Sequence, residues 1–396
     1  MHKILSKTAL TVCLVWVSIA SAVEYPEIVI DGNSGAILHE TGADRAWYPA
    51  SLTKMMTLYL IFQALASGEL TPDEQLEVSA NASSQPASKL GLAKGEKISV
   101  AQAILAVATI SANDVAVVLA ERLAVDETEF AKKMTAQAAN MGMGATLFKN
   151  ASGLPNPKQV TTAHDMVLLG YRLLHDFPKQ FKKFGTKNFE YKGRSRANIN
   201  GMLSSYPGVD GIKTGFTCAS GYNLAASIQR EDRRLIGVVL GSASSAGRST
   251  RMRRLLDRGF VKLKDAGTGP VIGARNVAEA FNVIPPVRLS ASECGQNRIL
   301  TNGKLPGWGV LLGVYKNKKQ ARTKGISYRT ELKKIIGSSR VAILKRKFKL
   351  GASWKLLLVE LKRSQAGKAC RYLRSSGRQC IAVSPQRMNS RGFGKR

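Results

Sequence analysis

Two pairs of strand-like runs bracket a long helical middle, and that arrangement limits the fold more than any other feature of the chain. Ile28-Val29-Ile30 and Ala36-Ile37-Leu38 flank the turn Asp31-Gly32-Asn33-Ser34-Gly35, the pattern of a hairpin over residues 27–39. Apolar runs at 224–228 and 234–240 flank the polar turn Gln229-Arg230-Glu231-Asp232 and predict a second hairpin. Between the pairs, apolar residues recur at helical spacing over 51–66, 100–110, 114–124 and 126–141. Strands at both ends of a helical middle predict an α+β domain with an antiparallel sheet. A helix over 249–259 closes it.

Beyond this domain, residues 263–302 read as a linker, carrying Gly267, Gly269, Pro270, Gly273, Pro285 and Pro286 without a sustained period. A second module over 303–385 follows in the order strand (308–315), helix (318–336), strand (341–348), strand (354–361), helix (364–374), strand (379–383). That is βαββαβ, two halves of similar layout. Residues 386–396 read as a basic tail. Charge separates the two parts. The chain holds 59 Lys or Arg against 27 Asp or Glu, a net +32. Of these, 25 basic residues and only two acids, Glu331 and Glu360, fall in 303–396. An excess of this size speaks of a polyanionic or extended polar partner rather than of fold.

The first 22 residues narrow that partner. His2, Lys3 and Lys7 precede an apolar run over 8–20, too short for a comfortable membrane span, and Ala20-Ser21-Ala22 is a small-x-small cleavage site. These features predict a secretory leader over 1–22 with Val23 as the mature start. An exported chain argues against nucleic acid and against a stable membrane anchor once the leader is cleaved. After the leader, with Cys13, is gone, Cys218, Cys294, Cys370 and Cys380 remain, an even number in an oxidising compartment. Cys370 near a helix end and Cys380 in the next strand form a plausible local staple. Cys218 and Cys294 would then pair, with buried thiols as the competing reading.

Three short elements carry chemistry. Ser51-Leu52-Thr53-Lys54 follows Pro49 and opens a helix continuing Met55, Met56, Leu58, Leu60, Ile61 and Phe62. Three residues is close to one turn, so Ser51 and Lys54 project to one side. A helix this apolar belongs in the middle of the domain, where a lysine is desolvated and its charged form disfavoured. A neutral amine beside a hydroxyl can act as its general base, and the helix start aims free N–H groups at an oxyanion. In isolation an N-cap serine with a snorkelling lysine would look the same. Ser111-Ala112-Asn113, between two apolar helices, places a hydroxyl and an amide at a helix junction; Ser79-Ala80-Asn81 is a decoy without those flanks. Lys213-Thr214-Gly215 precedes the strand-like 221–228 and offers positive charge, a hydroxyl and close backbone approach, beside a strand edge that can pair with a peptide.

Ser-x-x-Lys near the mature start, Ser-x-Asn about sixty residues on and Lys-Thr-Gly about a hundred further form the set of penicillin-binding proteins and class A β-lactamases. Ala112 in the middle of the second element leans away from the β-lactamases. Residues 23–262 resemble the DD-carboxypeptidase family of low-molecular-mass penicillin-binding proteins. Ser88-Lys89-Leu90-Gly91-Leu92, Ser152-Gly153-Leu154, Thr161-Thr162-Ala163-His164-Asp165-Met166 and Gly237-Val238-Val239-Leu240-Gly241 extend the match. The resemblance implies a penicillin-binding-protein/β-lactamase-like transpeptidase fold, an antiparallel sheet plus a helical cluster. It implies Ser51 as acylated nucleophile and Lys54 as its base. Ser111 would relay a proton to the leaving D-alanine and Asn113 would orient the substrate amide. Lys213 would supply positive potential. Thr214 and Arg248, in Ser-Ala-Gly-Arg, would hold the terminal carboxylate, with Gly215 giving close approach. The N–H groups of Ser51 and Phe216 would form the oxyanion hole. Phe216 departs from relatives, which often carry a polar residue there. No cofactor or metal is implied, and the four histidines (2, 39, 164, 175) contain no zinc-type pair.

Gly307-Trp308-Gly309-Val310-Leu311-Leu312-Gly313-Val314-Tyr315 resembles the opening strand of SPOR domains, which bind glycan strands stripped of stem peptides. The βαββαβ order and Cys370…Cys380-Ile381-Ala382-Val383 agree. SPOR domains usually place Gln where Leu311 stands, and a small structural module kept soluble by its charge is the competing reading. The expected whole is an exported, periplasmic, wall-bound serine D-Ala-D-Ala carboxypeptidase. Its partners would be peptidoglycan stem peptides, β-lactams and glycan strands. A DD-endopeptidase, a β-lactamase and a catalytically inactive wall-binding protein are the rivals.

Overall fold

The computed structural model describes residues 25–263, 270–274, 305, 307–337, 339–348 and 351–390. The expected leader therefore lies outside the described residues, as do Cys294 and most of the expected linker.

The first domain is built on a five-stranded antiparallel sheet of β1 (Glu27–Asp31), β2 (Ile37–Thr41), β3 (Val209–Thr217), β4 (Gly221–Arg230) and β5 (Arg233–Ser242), in the order β2-β1-β5-β4-β3. Both expected hairpins are present. β1 and β5 pair Ile28 with Val238 and Ile30 with Ile236, which brings the two ends of the domain together. The sequence did not announce β3 as a strand. Asp210, Gly211, Lys213 and Gly215 interrupt its alternation, yet it forms the sheet edge and carries Lys213-Thr214-Gly215 within it.

Each face of this sheet is apolar. On one, Val29, Leu224, Ala226, Leu235 and Val239 pack against Met252, Leu255 and Leu256 of a helix over Ser245–Lys262. That helix starts four residues before the expected position because Ser244 caps it, accepting from Gly247 N. Arg248 thereby enters its first turn. On the other face, Ile28, Ile30, Ile212, Ile236 and Val238 join the helical cluster. Its members are α1 (Lys54–Ser67), α2 (Val100–Thr109), α3 (Asn113–Leu123), α4 (Glu127–Asn140) and α5 (Ala163–Asp176). α1 is apolar on nearly every side, with nine of its 14 residues buried, as expected for a helix running through a core. α5, capped by Thr162, had no counterpart in the expected elements. The decoy Ser79 caps a short helix, accepting from Ala82 N, and Asn81 bonds Glu121 at the surface.

Two corrections concern the connections. Within the expected linker, residues 270–274 extend the first domain: Pro270 O accepts from Ile37 N, Ile272 N donates to Gly35 O, and Ile272 is buried. At the expected tail, Pro385–Asn389 is a helix whose Met388 is buried and whose Asn389 Nδ2 donates to Leu305 O.

The second module has the expected βαββαβ order: β6 (Trp308–Tyr315), α6 (Lys318–Glu331), β7 (Arg340–Phe348), β8 (Gly351–Leu361), α7 (Arg363–Ser375) and β9 (Ile381–Val383). A separate turn of helix, Lys333–Ile336, follows α6, so the long helix expected over 318–336 is broken at Leu332. The sheet runs β7-β8-β6-β9, all neighbours antiparallel. Cys370 and Cys380 form a disulfide with Cα atoms 5.2 Å apart; Cys218 is exposed. This bridge joins the end of α7 to β9 across a short loop. Replacing both cysteines by alanine is expected to destabilise the module by about 2–3 kcal/mol, the loop-closure value for a ring this size. Calorimetry should show one lowered transition and an unchanged one for the first domain.

Candidate active site

The three sequence elements converge on the start of α1. Ala50–Thr53 forms a 3-10 turn, Ser51 within it, and α1 begins at Lys54. Two glycines hold that turn at main-chain distance. A side chain on Gly215 would meet Pro49 O at 3.0 Å and Ser51 N at 3.2 Å. One on Gly153, whose φ is +81°, would collide with Ala50 O. β3 and the 152–154 loop therefore abut the Ser51 turn from two sides.

Lys54 is 0% exposed. Its Nζ donates to Asn113 Oδ1 (2.7 Å) and to the Ser152 carbonyl, and lies 3.2 Å from Ser51 Oγ. Burial drives its pKa well below the usual lysine value, and the charge of Lys213 pushes the same way, against Glu127 and Asp114. A neutral amine has two hydrogens and one lone pair. Two carbonyl-type acceptors take the hydrogens, which leaves the lone pair for the proton of Ser51.

Ser111 and Asn113 occupy the junction between α2 and α3. Ser111 has φ +58°, in the left-handed region, and its buried hydroxyl has no hydrogen-bond partner among the described residues. A buried hydroxyl left unpaired is costly unless a ligand completes it. Asn113 Nδ2 donates to Pro86 O and its N–H to Ser88 O. The adjoining Asp114, fully buried, accepts from the N–H groups of Leu90, Gly91 and Val115. It thus pins the 88–92 segment against the helix that carries Asn113.

On β3, Lys213 is buried and its Nζ donates to Thr214 O. Burial lowers its pKa to about 7, with the charge of Arg248 adding to the effect. Arg248 is only 7% exposed. Its Nη2 donates to Ser245 Oγ, its Nε has no partner among the described residues, and its guanidinium lies 6.0 Å from the Tyr222 ring. No carboxylate of the described residues is ion-paired with it. A buried arginine left in this state is set for an incoming anion. Thr214 is buried beside Lys213, and Phe216, 39% exposed, stacks obliquely on Tyr222 with ring centres 4.2 Å apart.

Lys54 and Gly215 thus lie directly against Ser51 or its turn and Asn113 against Lys54, with Ser111, Lys213, Thr214 and Phe216 on the same segments. Arg248, on the helix behind the sheet, reaches the site beside Tyr222 and Lys213, and Cys370 and Cys380 belong to the other module. Sequence reasoning gave no role to Asn223, which is fully buried on β4. Its Nδ2 donates to Tyr48 O and Pro49 O, and its Oδ1 accepts from Gly241 N, so it fixes the approach to Ser51. Its only signal was an amide directly before the apolar run Leu224-Ala225-Ala226. Asp114 and the Ser152 carbonyl were likewise without assigned roles.

The fold and this cluster define the penicillin-binding-protein class of transpeptidase-like domains. Penicillin-binding protein 5 from Haemophilus influenzae superposes with a TM-score of 0.58 at 34% identity, covering 60% of this chain and 71% of that one. Penicillin-binding protein D2 from Listeria monocytogenes, solved with cefotaxime bound, gives 0.55 at 32%, covering 60% and 97%. The model of the D-alanyl-D-alanine carboxypeptidase family matches residues 19–244, and the chain belongs to that family. Among curated relatives, the D-alanyl-D-alanine carboxypeptidase DacA of Haemophilus influenzae is 36% identical over 242 residues, 60% of this chain and 62% of its own length. DacC of Escherichia coli is 38% identical over 240 residues, 59% and 60%. The chain therefore spans about three fifths of the length of these relatives, and the family model's match ends at residue 244, before the βαββαβ module.

Proposed function

We propose that the protein is a serine-type D-Ala-D-Ala carboxypeptidase that removes the terminal D-alanine of peptidoglycan stem pentapeptides and is acylated by penicillin. The observation that carries this reading is the buried Lys54 amine, engaged by Asn113 and Ser152 and facing Ser51 Oγ. Ser51 Oγ attacks the penultimate carbonyl as its proton passes to Lys54. The developing oxyanion is taken by the N–H groups of Ser51 and Phe216. The peptide C–N bond breaks as the proton held by Lys54 is relayed through the Ser111 hydroxyl to the departing amine, releasing D-alanine, returning Lys54 to its neutral form and leaving an ester on Ser51. Water then attacks the ester as it gives a proton to the neutral Lys54; the bond to Ser51 Oγ breaks, Oγ takes that proton back, and the shortened peptide is freed. Thr214 and Arg248 receive the terminal carboxylate, Lys213 keeps the surrounding potential positive, and Asn113 orients the acyl-side amide.

The leader and the second module complete the proposal: an exported enzyme held to the cell wall, the module engaging glycan strands as SPOR domains do. Its sheet order and antiparallel pairing support that likeness.

The test is labelling with fluorescent penicillin. The wild-type protein is expected to form a stable adduct that Ser51→Ala abolishes. Absence of labelling, or equal labelling of the variant, refutes the assignment. Muropeptide analysis of cells lacking the gene then separates a carboxypeptidase, whose loss accumulates pentapeptides, from an endopeptidase, whose loss accumulates cross-links. Rapid turnover of the penicilloyl adduct would instead identify a β-lactamase.

A further inference from the structure

The sheet of the second module has two unlike faces. On one, Ala342, Leu344, Leu357, Val359 and Val383 form an apolar cluster with Leu305 and Met388. Met388 sits so close to Gly309 that a side chain there would overlap its sulfur. This face is filled by the protein itself and offers an anionic or polar ligand nothing. The other face carries α6 and α7, whose exposed positions include eight lysines and arginines against one acid, Glu331.

At one corner of the helical face lies a distinct cluster. Trp354 of β8 pairs across the sheet with Tyr315 of β6 on one side and Lys345 of β7 on the other. Its indole is half-buried against the core beneath the helices. Lys345 Nζ and the Nζ of Lys318, the first residue of α6, each stand 5.6 Å from the ring centre. Both acids of the module are committed elsewhere, Glu331 to Arg378 and Glu360 to Arg340. Neither ammonium therefore has a carboxylate partner among the described residues. A cation over a ring that is only half-buried is held weakly, so either lysine can swing to an anion that settles beside the indole, where a charge-assisted hydrogen bond is stronger.

We propose that Trp354, Lys318 and Lys345 form a subsite for a sugar that bears a carboxylate. The apolar face of the sugar ring lies on the indole, and its carboxylate is taken by an ammonium at the ring's edge. This rests on the glycan-binding reading above and names the chemistry the module selects. Removing a stem peptide at its amide bond frees the lactyl carboxylate of each muramic residue, so stripped glycan is a polyanion with regularly repeated carboxylates. A preference for stripped strands then follows from the position of the charge, a carboxylate on the sugar itself, which a muramic residue in amide linkage to a stem peptide lacks.

The test uses the full-length protein and amidase-stripped sacculi in two forms, native and with carboxylates converted to methyl amides. The wild type is expected to bind the native form at least tenfold more tightly. Lys318→Ala/Lys345→Ala should lose that difference, whereas Lys333→Ala/Lys368→Ala, which removes the same charge elsewhere on the helical face, should keep it. Trp354→Ala should weaken binding to both forms and Trp354→Phe should largely restore it, with circular dichroism verifying the fold. Equal loss in the two lysine pairs reduces the effect to bulk charge and overturns the subsite, as does equal binding of methyl-amidated glycan. Tighter, Trp354-dependent capture by phosphatidylglycerol vesicles would assign the cluster to lipid and also overturn it. If the wild type does not distinguish stripped from intact sacculi, the glycan reading itself fails, separately from the subsite.

Discussion

Replacing Lys54 by methionine should slow acylation by fluorescent penicillin by about 10²–10⁴-fold, the range for a lost general base. Methionine matches the length of the lysine stem and suits the apolar surroundings, so α1 should keep its packing. What disappears is the lone pair facing Ser51 Oγ and the two hydrogen bonds that aim it at Asn113 and Ser152. Lys54→Arg restores those donors but not the base, because a guanidinium keeps its proton. It should be as slow as the methionine variant, and raising the pH should rescue neither. A stopped-flow labelling rate within tenfold of wild type for either variant would remove Lys54 from the mechanism.

The second expectation is a bell-shaped dependence of acylation on pH, read as kcat/KM and so reporting the free enzyme. Lys54 works only when neutral. Its depressed pKa puts the acid limb well below the ordinary lysine range, and the rate rises as pH climbs through it. Lys213 works only when charged. Burial and the neighbouring Arg248 lower it to about 7, so its charge is lost, and the rate falls, as pH rises through that value. The limbs thus belong to two lysines with opposite requirements. Lys213→Arg should move the alkaline limb upward by several units and leave the acid limb in place. Arg248→Gln should also shift that limb upward, since one repelling charge is gone, while raising KM for peptides that end in a carboxylate. An alkaline limb unmoved by Lys213→Arg would show that another group sets it.

Much of this site was legible because its chemistry is written in short, rigid units. Ser51 and Lys54 lie one turn apart, and Ser111 and Asn113 share a junction, so local geometry alone relates them. The residues that escaped act across the chain. Asn223 serves a carbonyl 175 residues away, and Asp114 gathers amides more than twenty residues upstream. Neither distance leaves a periodic trace. β3 was missed for a related reason: the glycines and charges that make it useful at an edge erase the alternation by which strands are found. In the second module, periodicity gave the order of elements and composition gave the charge. Neither could say that the charge faces away from an apolar surface closed by Leu305 and Met388.

The glycines around the Ser51 turn carry a consequence for how such an enzyme can change. Gly153 and Gly215 place bare main chain against main chain on two sides of the nucleophile. No side chain there can be enlarged, trimmed or turned to alter the grip, and any substitution displaces Ser51 itself. Selection for a different peptide, or against a drug, has no purchase at the centre. It must act at the periphery, where Phe216 and Tyr222 stand exposed or half-exposed near Arg248. Sequence drift at those two rings, with an unchanging middle, is the course this architecture leaves open.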